Sequence, residues 1–525
     1  MSPKPSRAFT GIPSINEVRA HARKNLFILT VILLGALIFC TVFSPEVITP
    51  DGSTYMLLGK QMTQGRYPET FFHRMPMLPF LFAALYVTGL PVSLIGMVIP
   101  LAFMMLSLVS TYLLARELAG EDSARIATLL LFSFPDFWRW GLKFLTDIPL
   151  LAISAFSVYY FMKALKDGRY FIHAGIFIAI GMLTKLSFFL VPAIFLLYVI
   201  AARRDCLRSA RFWQGLIIPA IVFSSVFAAV SSLRAADDFT QFGTSAQIIT
   251  SEEGMTPFMQ LLTGNYGDIE SFLRLVLFPV IVFSPFGVVS LWKRKLRFPV
   301  HFSLLFLLAL FVMSSVRLRY YSPLFPFIAI FSAEGLSYLK HRKVILGSRK
   351  LAGLVMPAFL ALLAASFINA MYIVSLDFGM DWGIVTLSDY VRTLNGTIAS
   401  EYMPHYLNMT NDVIIGNEWY RSVYGENFSY GAVSGMGADY MVVSIYGEYA
   451  RSPSNETYHP YFGPFEVSFV SRPYTAERIP PDFTFRSELF RKLESDANFD
   501  KVREIHGPSG QLLFIIYGVR TPGTP

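Results

Sequence analysis

Nine long apolar runs, separated by short basic or polar stretches, constrain this chain more than any other feature. They are Leu26–Phe43, Val92–Leu114, Ile148–Met162, Phe171–Ile200, Leu216–Ser232, Phe272–Trp292, Phe302–Val316, Tyr321–Tyr338 and Leu351–Val374. A helix needs about 20 apolar residues to cross a bilayer. In hydrocarbon, backbone polar groups must be satisfied internally, so such runs fold as helices. Phe171–Ile200 is long enough for a tight hairpin of two short spans, interrupted near Lys185. The expected architecture is an α-helical polytopic membrane protein of about 11 transmembrane helices. Only 15% of the 525 residues are charged, against about 25% in soluble domains.

The net charge of +8 does not point to nucleic acid, because the cations punctuate the spans. Arg19/Arg23/Lys24, Arg116/Arg125, Lys163/Lys166/Arg169, Arg203/Arg204/Arg208/Arg211, Lys293/Arg294/Lys295/Arg297 and Lys340/Arg342/Lys343 fall at every second loop. That is the positive-inside pattern with a cytoplasmic N-terminus in a plasma-membrane protein. The opening "MSPKPSRAFTGIPSINEVRAHARKN" is long and basic, and the first run lacks a small-residue cleavage site, so no cleaved signal is expected. Three regions follow: a cytoplasmic segment 1–25, a membrane domain 26–374 with a first outside loop 44–77, and a soluble tail 375–525. Cys40 and Cys206 make neither a disulfide framework nor a CxxC site.

An odd number of spans puts the tail outside. "ADYMVVSIYG" and "QLLFIIYGV" read as buried strands and "FRSELFRKLESD" as a helix, so a mixed α/β domain is expected. Four N-x-[ST] sequons, at Asn395, Asn408, Asn427 and Asn455, all lie in this tail and none in the expected cytoplasmic loops.

The remaining outside segments carry the chemistry. Asp51 follows Pro50 at the mouth of the first run, ahead of Tyr55, Leu58 and Met62 at helical spacing. One reading is a helix cap on an interfacial helix; the other is a carboxylate at the membrane boundary that takes a proton from an acceptor hydroxyl. The two are compatible. Asp147 opens the run Ile148–Met162 and has the same pair of readings, while Asp136 and Asp237/Asp238 read as solvated loop acids. Outside loops should be poor in cations, yet His73, Arg74, Arg139, Lys143, Lys185, Arg234, Arg317 and Arg319 sit there. A charge beside apolar segments is costly without a partner. Lys185, in "IGMLTKLSFFLV", either snorkels to the surface or shares an anionic partner. A lipid phosphate at the outer interface fits both the charge and the depth.

These residues resemble a known superfamily. "PDGSTYMLLGKQMTQGRYPETFFHRMPMLPFLFAALYVTGLP" resembles the first outside loop of the C-type (GT-C) polyprenyl-phosphate-sugar-dependent glycosyltransferases, which include the protein O-mannosyltransferases and lipid A aminoarabinose transferases. "FLTDIPLLAISAFSVYYFMKAL", "IGMLTKLSFFLVPAIFLLYVI" and "RLRYYSPLFPFIAIFSAEGL" are similar to later motifs, in family order, over roughly residues 20–345. Asp51 stands alone here, where many protein O-mannosyltransferases carry Asp followed by Glu, which favours the broader bacterial and archaeal branch.

The resemblance implies an inverting transfer of a sugar from a polyprenyl phosphate, dolichyl or undecaprenyl, to a glycan, glycolipid or protein acceptor outside the cytoplasm. It implies Asp51 as general base and Asp147 as a group that positions hydroxyls. Tyr55, His73, Arg74, Arg139, Lys143, Lys185, Arg317, Arg319 and Tyr320 become substrate-binding candidates, with Lys185 and the Arg319–Tyr320 pair ranked first. No DxD motif occurs in an outside loop, so there is no basis for a divalent metal, and no other cofactor is indicated. A polytopic transporter or lipid-linked sugar flippase is the alternative. Inverted repeats with broken helices in matching positions would mark it, and the sequence shows no such symmetry.

Overall fold

A computed structural model describes residues 15–43, 50–65, 67, 74–232, 282–313, 318–341, 349–378 and 384–400, with 413–414, 430, 433, 437–444, 491–506 and 512–520 of the tail. The chain opens with α1 (Ile15–Val42) and α2 (Pro50–Thr63), then α3 (Met77–Tyr86), α4 (Val92–Ala119), α5 (Glu121–Ser133) and a short α6 (Pro135–Gly141). It continues through α7 (Asp147–Ala164), α8 (Tyr170–Met182), α9 (Leu190–Ala202) and α10 (Ala210–Ser231). After the next described segment begins come α11 (Ser284–Lys293), α12 (Phe298–Met313), α13 (Phe325–His341), α14 (Arg349–Phe378) and α15 (Ile384–Val391).

Among the described residues four helices are long and apolar enough to cross a membrane: Asn25–Val42, Val92–Ala119, Ala210–Ser231 and Tyr320–Lys340. Shorter apolar helices lie between them, including Tyr170–Met182 and Leu186–Ala202. This pair is the hairpin expected around Lys185. The chain breaks at Thr184–Lys185 and re-enters through a 3-10 turn, Leu186–Phe189. The outer faces are apolar: Leu26, Leu29, Leu33 and Leu37 of α1 are all exposed, as a lipid-facing surface requires. Some helices were not legible as apolar runs, α3 and α5 among them. α3 has only ten residues, and α5 starts with Glu121 and Asp122, whose charges favour the positive end of the helix dipole.

Close crossings hold the bundle. α11 packs against α13 where Gly287 faces the Phe331 carbonyl and Gly335 faces the Phe283 carbonyl, so a Cβ at either glycine would meet backbone. Small residues allow such an approach where no hydrophobic effect drives helices together. The same crossing buries Glu334. Its carboxylate accepts from Ser290 Oγ at 2.7 Å, Arg294 Nη1 at 3.1 Å and Ser123 Oγ at 3.2 Å, joining α5, α11 and α13. A buried charge survives only when paired and hydrogen-bonded in this way.

The tail forms a mixed five-stranded sheet from β1 (Ile398–Ser400), β2 (Val413–Ile414), β3 (Tyr440–Ser444), β4 (Phe499–His506) and β5 (Leu512–Val519), in the order β2-β1-β3-β5-β4. β1 is parallel to β2 and β3, while β5 is antiparallel to β3 and β4. β3 and β5 are the two strands the sequence showed. β4 reads "FDKVREIH", too charged to look buried, because it forms the end of the sheet. Of "FRSELFRKLESD", only Arg491–Asp496 lies among described residues, and Arg491–Ser495 is helical.

Candidate active site

Four segments meet at one end of the bundle. The first is α2 with the chain that follows it. Pro50 opens α2, so Asp51 stands in its first turn rather than at the cap. Proline suits that position because the first helical N–H has no partner in any case. The Asp51 side chain lies outside the described residues. Tyr55 and Leu58 are buried as the helical spacing requires. Gly59 lets α2 lie directly on α3, since a Cβ there would meet the Pro79 carbonyl and the Phe82 ring. Tyr67 Oη donates to the Arg74 carbonyl at 2.5 Å and closes the loop between them. The Arg74 guanidinium then lies 5.5 Å from the centroid of the Tyr55 ring.

The second segment is the hairpin tip, which touches the first directly: the Met77 amide donates to the Leu183 carbonyl at 3.0 Å. A small apolar cluster of Leu58, Tyr67, Met75 and Val230, with Leu183 and Phe189 against it, seals this junction and ties in α10. The third and fourth segments reach Lys185, at the centre. Its ammonium donates to Asp147 Oδ1 at 2.9 Å and sits 4.0 Å from the centroid of the Tyr320 ring. Asp147 is the first residue of α7 and only 2% exposed, while the Lys185 side chain keeps 22% of its surface open. Tyr320 lies in a 3-10 turn, Leu318–Leu324. That turn is anchored by Ser322 Oγ donating to the Asp147 carbonyl at 2.9 Å and by Ser154 Oγ donating to the Pro323 carbonyl at 2.9 Å.

Three readings of single residues therefore change. Asp147 is not a helix cap; its carboxylate is turned to a cation 38 residues away. Lys185 does not simply snorkel, because a buried carboxylate and a ring face hold it. Asp136, read as a solvated loop acid, is also buried. It sits in the first turn of α6 among Phe137 and Trp138, which pack into the core.

α6 and the turn after it carry the next two cations. Arg139 Cζ lies 4.7 Å and Lys143 Nζ 5.0 Å from the centroid of the Trp140 ring. α6 packs against α7 and the Leu318–Leu324 turn, so these groups belong to the same end of the bundle. Trp140 was not among the candidates read from sequence; its signal was its place between two cations, one adjacent and one three residues on. His73, Arg234, Asp237, Asp238 and Arg317 lie outside the described residues, as do the Asn408, Asn427 and Asn455 sequons. Arg319 is described only as backbone of the Leu318–Leu324 turn. Asn395 is exposed just before β1. Among the described residues no cluster of three or more His, Cys, Asp or Glu side chains could hold a metal.

Comparison with known proteins gives the fold a context. A family model described as dolichyl-phosphate-mannose-protein mannosyltransferase matches residues 73–228. No curated protein matches the sequence. Among solved structures, ArnT from Cupriavidus metallidurans bound to undecaprenyl phosphate superposes with a TM-score of 0.60 at 14% identity, over 94% of this chain and 98% of that one. The Archaeoglobus fulgidus oligosaccharyltransferase in its apo form gives 0.54 at 14% identity, covering 82% of this chain and 72% of that one. The arabinofuranosyltransferase AftD from Mycobacteria gives 0.55 at 12% identity, with 95% and 40% covered.

Proposed function

We propose that this chain, which shares the fold of the solved GT-C glycosyltransferases, is a membrane glycosyltransferase of that superfamily and moves a sugar from a polyprenyl phosphate to an acceptor outside the cytoplasm. One observation carries the reading. At a single end of the bundle, a buried carboxylate, a lysine and a tyrosine face converge at Asp147, Lys185 and Tyr320. They converge in a chain whose match to ArnT bound to undecaprenyl phosphate covers nearly its whole length. The likeness to the archaeal oligosaccharyltransferase, also solved with a dolichol phosphate, supports the same donor class.

The chemistry is a single displacement with inversion. An acceptor hydroxyl attacks the anomeric carbon, the bond from that carbon to the phosphate oxygen breaks, and the polyprenyl phosphate leaves with the electron pair. Asp51, in the first turn of α2, takes the hydroxyl proton. Negative charge grows on the departing phosphate, and cations stabilise it most where water is excluded. Arg74, Arg139, Lys143 and Lys185 supply that positive charge, with His73, Arg317 and Arg319 as further candidates. Asp147 holds the Lys185 ammonium at a fixed place, and Tyr55 and Tyr320 give Arg74 and Lys185 apolar faces to rest on.

In this reading the N-terminus is cytoplasmic, about 11 spans cross the membrane, and the α/β tail with its sequons lies outside, near the acceptor. The lone acid at Asp51 favours a branch other than strict protein O-mannosyl transfer. The test is mass spectrometry of surface glycans from a strain lacking the gene. A glycan, glycolipid or glycoprotein short by one defined sugar identifies donor and acceptor together. Unchanged glycans, with a polyprenyl-phosphate sugar held on the wrong side of the membrane, would favour a flippase.

A further inference from the structure

The indole N–H of Trp140 is the best unexplained polar group in the bundle. Its ring nitrogen is buried and has no hydrogen-bond partner among the described residues. Two positions earlier, the fully buried Trp138 solves the same problem by donating Nε1 to the Phe132 carbonyl at 2.6 Å, whereas the Trp140 ring is partly exposed and only its nitrogen is covered. A buried donor left without an acceptor is costly, so an acceptor belonging to another molecule is the natural partner. The surroundings say what kind. The faces of the same ring hold Arg139 at 4.7 Å and Lys143 at 5.0 Å, both measured to its centroid. A neutral hydroxyl or carbonyl would gain little from two cations, whereas a phosphate oxygen gains from both.

Residues 139–143 supply this set locally. The Lys143 amide donates to the Trp140 carbonyl at 3.3 Å, folding the chain back so that Lys143 returns to the ring it follows. α6 also packs on the Leu318–Leu324 turn that carries Tyr320, so the group faces the same end of the bundle as Lys185.

We propose that Trp140, Arg139 and Lys143 form a phosphate cradle in which Trp140 has two roles: its ring holds both cations, and its Nε1–H donates to a phosphate oxygen of the polyprenyl donor. This rests on the donor class proposed above but assigns a residue that reading did not include.

The test is equilibrium binding to the purified full chain in nanodiscs, with undecaprenyl phosphate, undecaprenol and inorganic phosphate as separate probes. Trp140→Phe keeps a ring face and removes the donor. It should weaken undecaprenyl phosphate binding about tenfold, the size expected for one hydrogen bond to a charged group, and leave undecaprenol binding unchanged. Trp140→Leu, which removes the face as well, should lose more. Thermal unfolding of Trp140→Phe should match the parent, which separates a binding role from a packing one. Unchanged phosphate-lipid binding in Trp140→Phe would overturn the assignment, and so would an equal loss for undecaprenol. Inorganic phosphate binding as tightly as the lipid would also overturn it, by removing the lipid as the ligand. No sugar transfer is needed for this readout. A chain that binds undecaprenyl phosphate through Trp140 but transfers nothing would keep the cradle and sink the transferase.

Discussion

Lys185 Nζ lies 2.9 Å from Asp147 Oδ1, and this contact joins the first turn of α7 to the break in the hairpin, which the sequence separates by an entire hairpin arm. The carboxylate is buried and the ammonium is partly open toward the same end of the bundle. A group with that geometry can hold its charge in place and still present one side to an anion. Lysine is a point charge on a flexible stem, so a fixed partner is what gives it direction.

Breaking the pair should separate stability from activity. Removing one partner leaves the other buried and uncompensated, which costs about 3–5 kcal/mol. Lys185→Met and Asp147→Asn should each lower the unfolding temperature in detergent and abolish transfer. The double variant Lys185→Met/Asp147→Leu, apolar on both sides, should regain much of the stability and none of the activity. Recovery of transfer in the double variant would show that the pair only packs.

The α11–α13 crossing predicts a different failure. Gly335→Val would drive a side chain into the Phe283 carbonyl, and backbone cannot move aside as a flexible side chain can. Overpacking of this kind typically costs about 1–3 kcal/mol. Reduced yield of monodisperse protein and a lower unfolding temperature are expected, whereas Gly168→Ala, whose Cβ would meet only Ser209 Oγ at 3.8 Å and the Phe171 ring at 3.9 Å, should cost far less.

The tail sheet has a pH dependence whose sign follows from one ion pair. Arg520 lies 2.8 Å from both oxygens of Asp500, and that contact lowers the Asp500 carboxyl below its usual range. A carboxylate whose folded pKa is depressed adds stability above its unfolded pKa, about 3.9. That stability is lost as pH falls through the lower folded value. The pair is exposed, so the effect is small. The protection of β5 amides relative to their intrinsic exchange rates should fall between neutral pH and about pH 3 more in the parent than in Asp500→Asn; an equal fall would remove the pair from the account.

Sidedness can be read chemically. With Cys40 and Cys206 replaced by serine, a cysteine at Asn395 should react with a membrane-impermeant maleimide in intact cells. A cysteine at Lys166, in the basic loop between α7 and α8, should react only after permeabilisation. The reverse pattern would invert the topology and move Asp51 to the wrong side for an external acceptor.

The sequence carried the membrane class, the hairpin break at Lys185 and strands β3 and β5, because each depends on local hydropathy. The resemblance to the GT-C glycosyltransferases was legible as loose motifs in order. What it could not carry is pairing at a distance. Nothing near Asp147 says that its partner is Lys185, and nothing in "IFSAEGL" says that Glu334 is tied to Ser123, Ser290 and Arg294 on two other helices. Short helices such as α3 escaped because ten residues fall below the length at which hydropathy speaks clearly. Trp140 escaped because an aromatic beside cations at a membrane surface reads first as part of an aromatic belt. Asp51 does stand at the start of a helix, but two positions further in than a cap.

The most direct test is turnover by purified protein in liposomes that contain a labelled polyprenyl-phosphate sugar and a membrane extract as acceptor. The parent chain should move label from the polyprenyl phosphate to the acceptor with inverted anomeric configuration. Asp51→Asn should bind the donor as well as the parent and turn over about 10²–10⁴-fold more slowly, the range for loss of a general base. Transfer by Asp51→Asn at the parent rate would contradict the assignment of Asp51. No transfer from any polyprenyl-phosphate sugar, with label instead appearing across the bilayer, would contradict the enzyme itself.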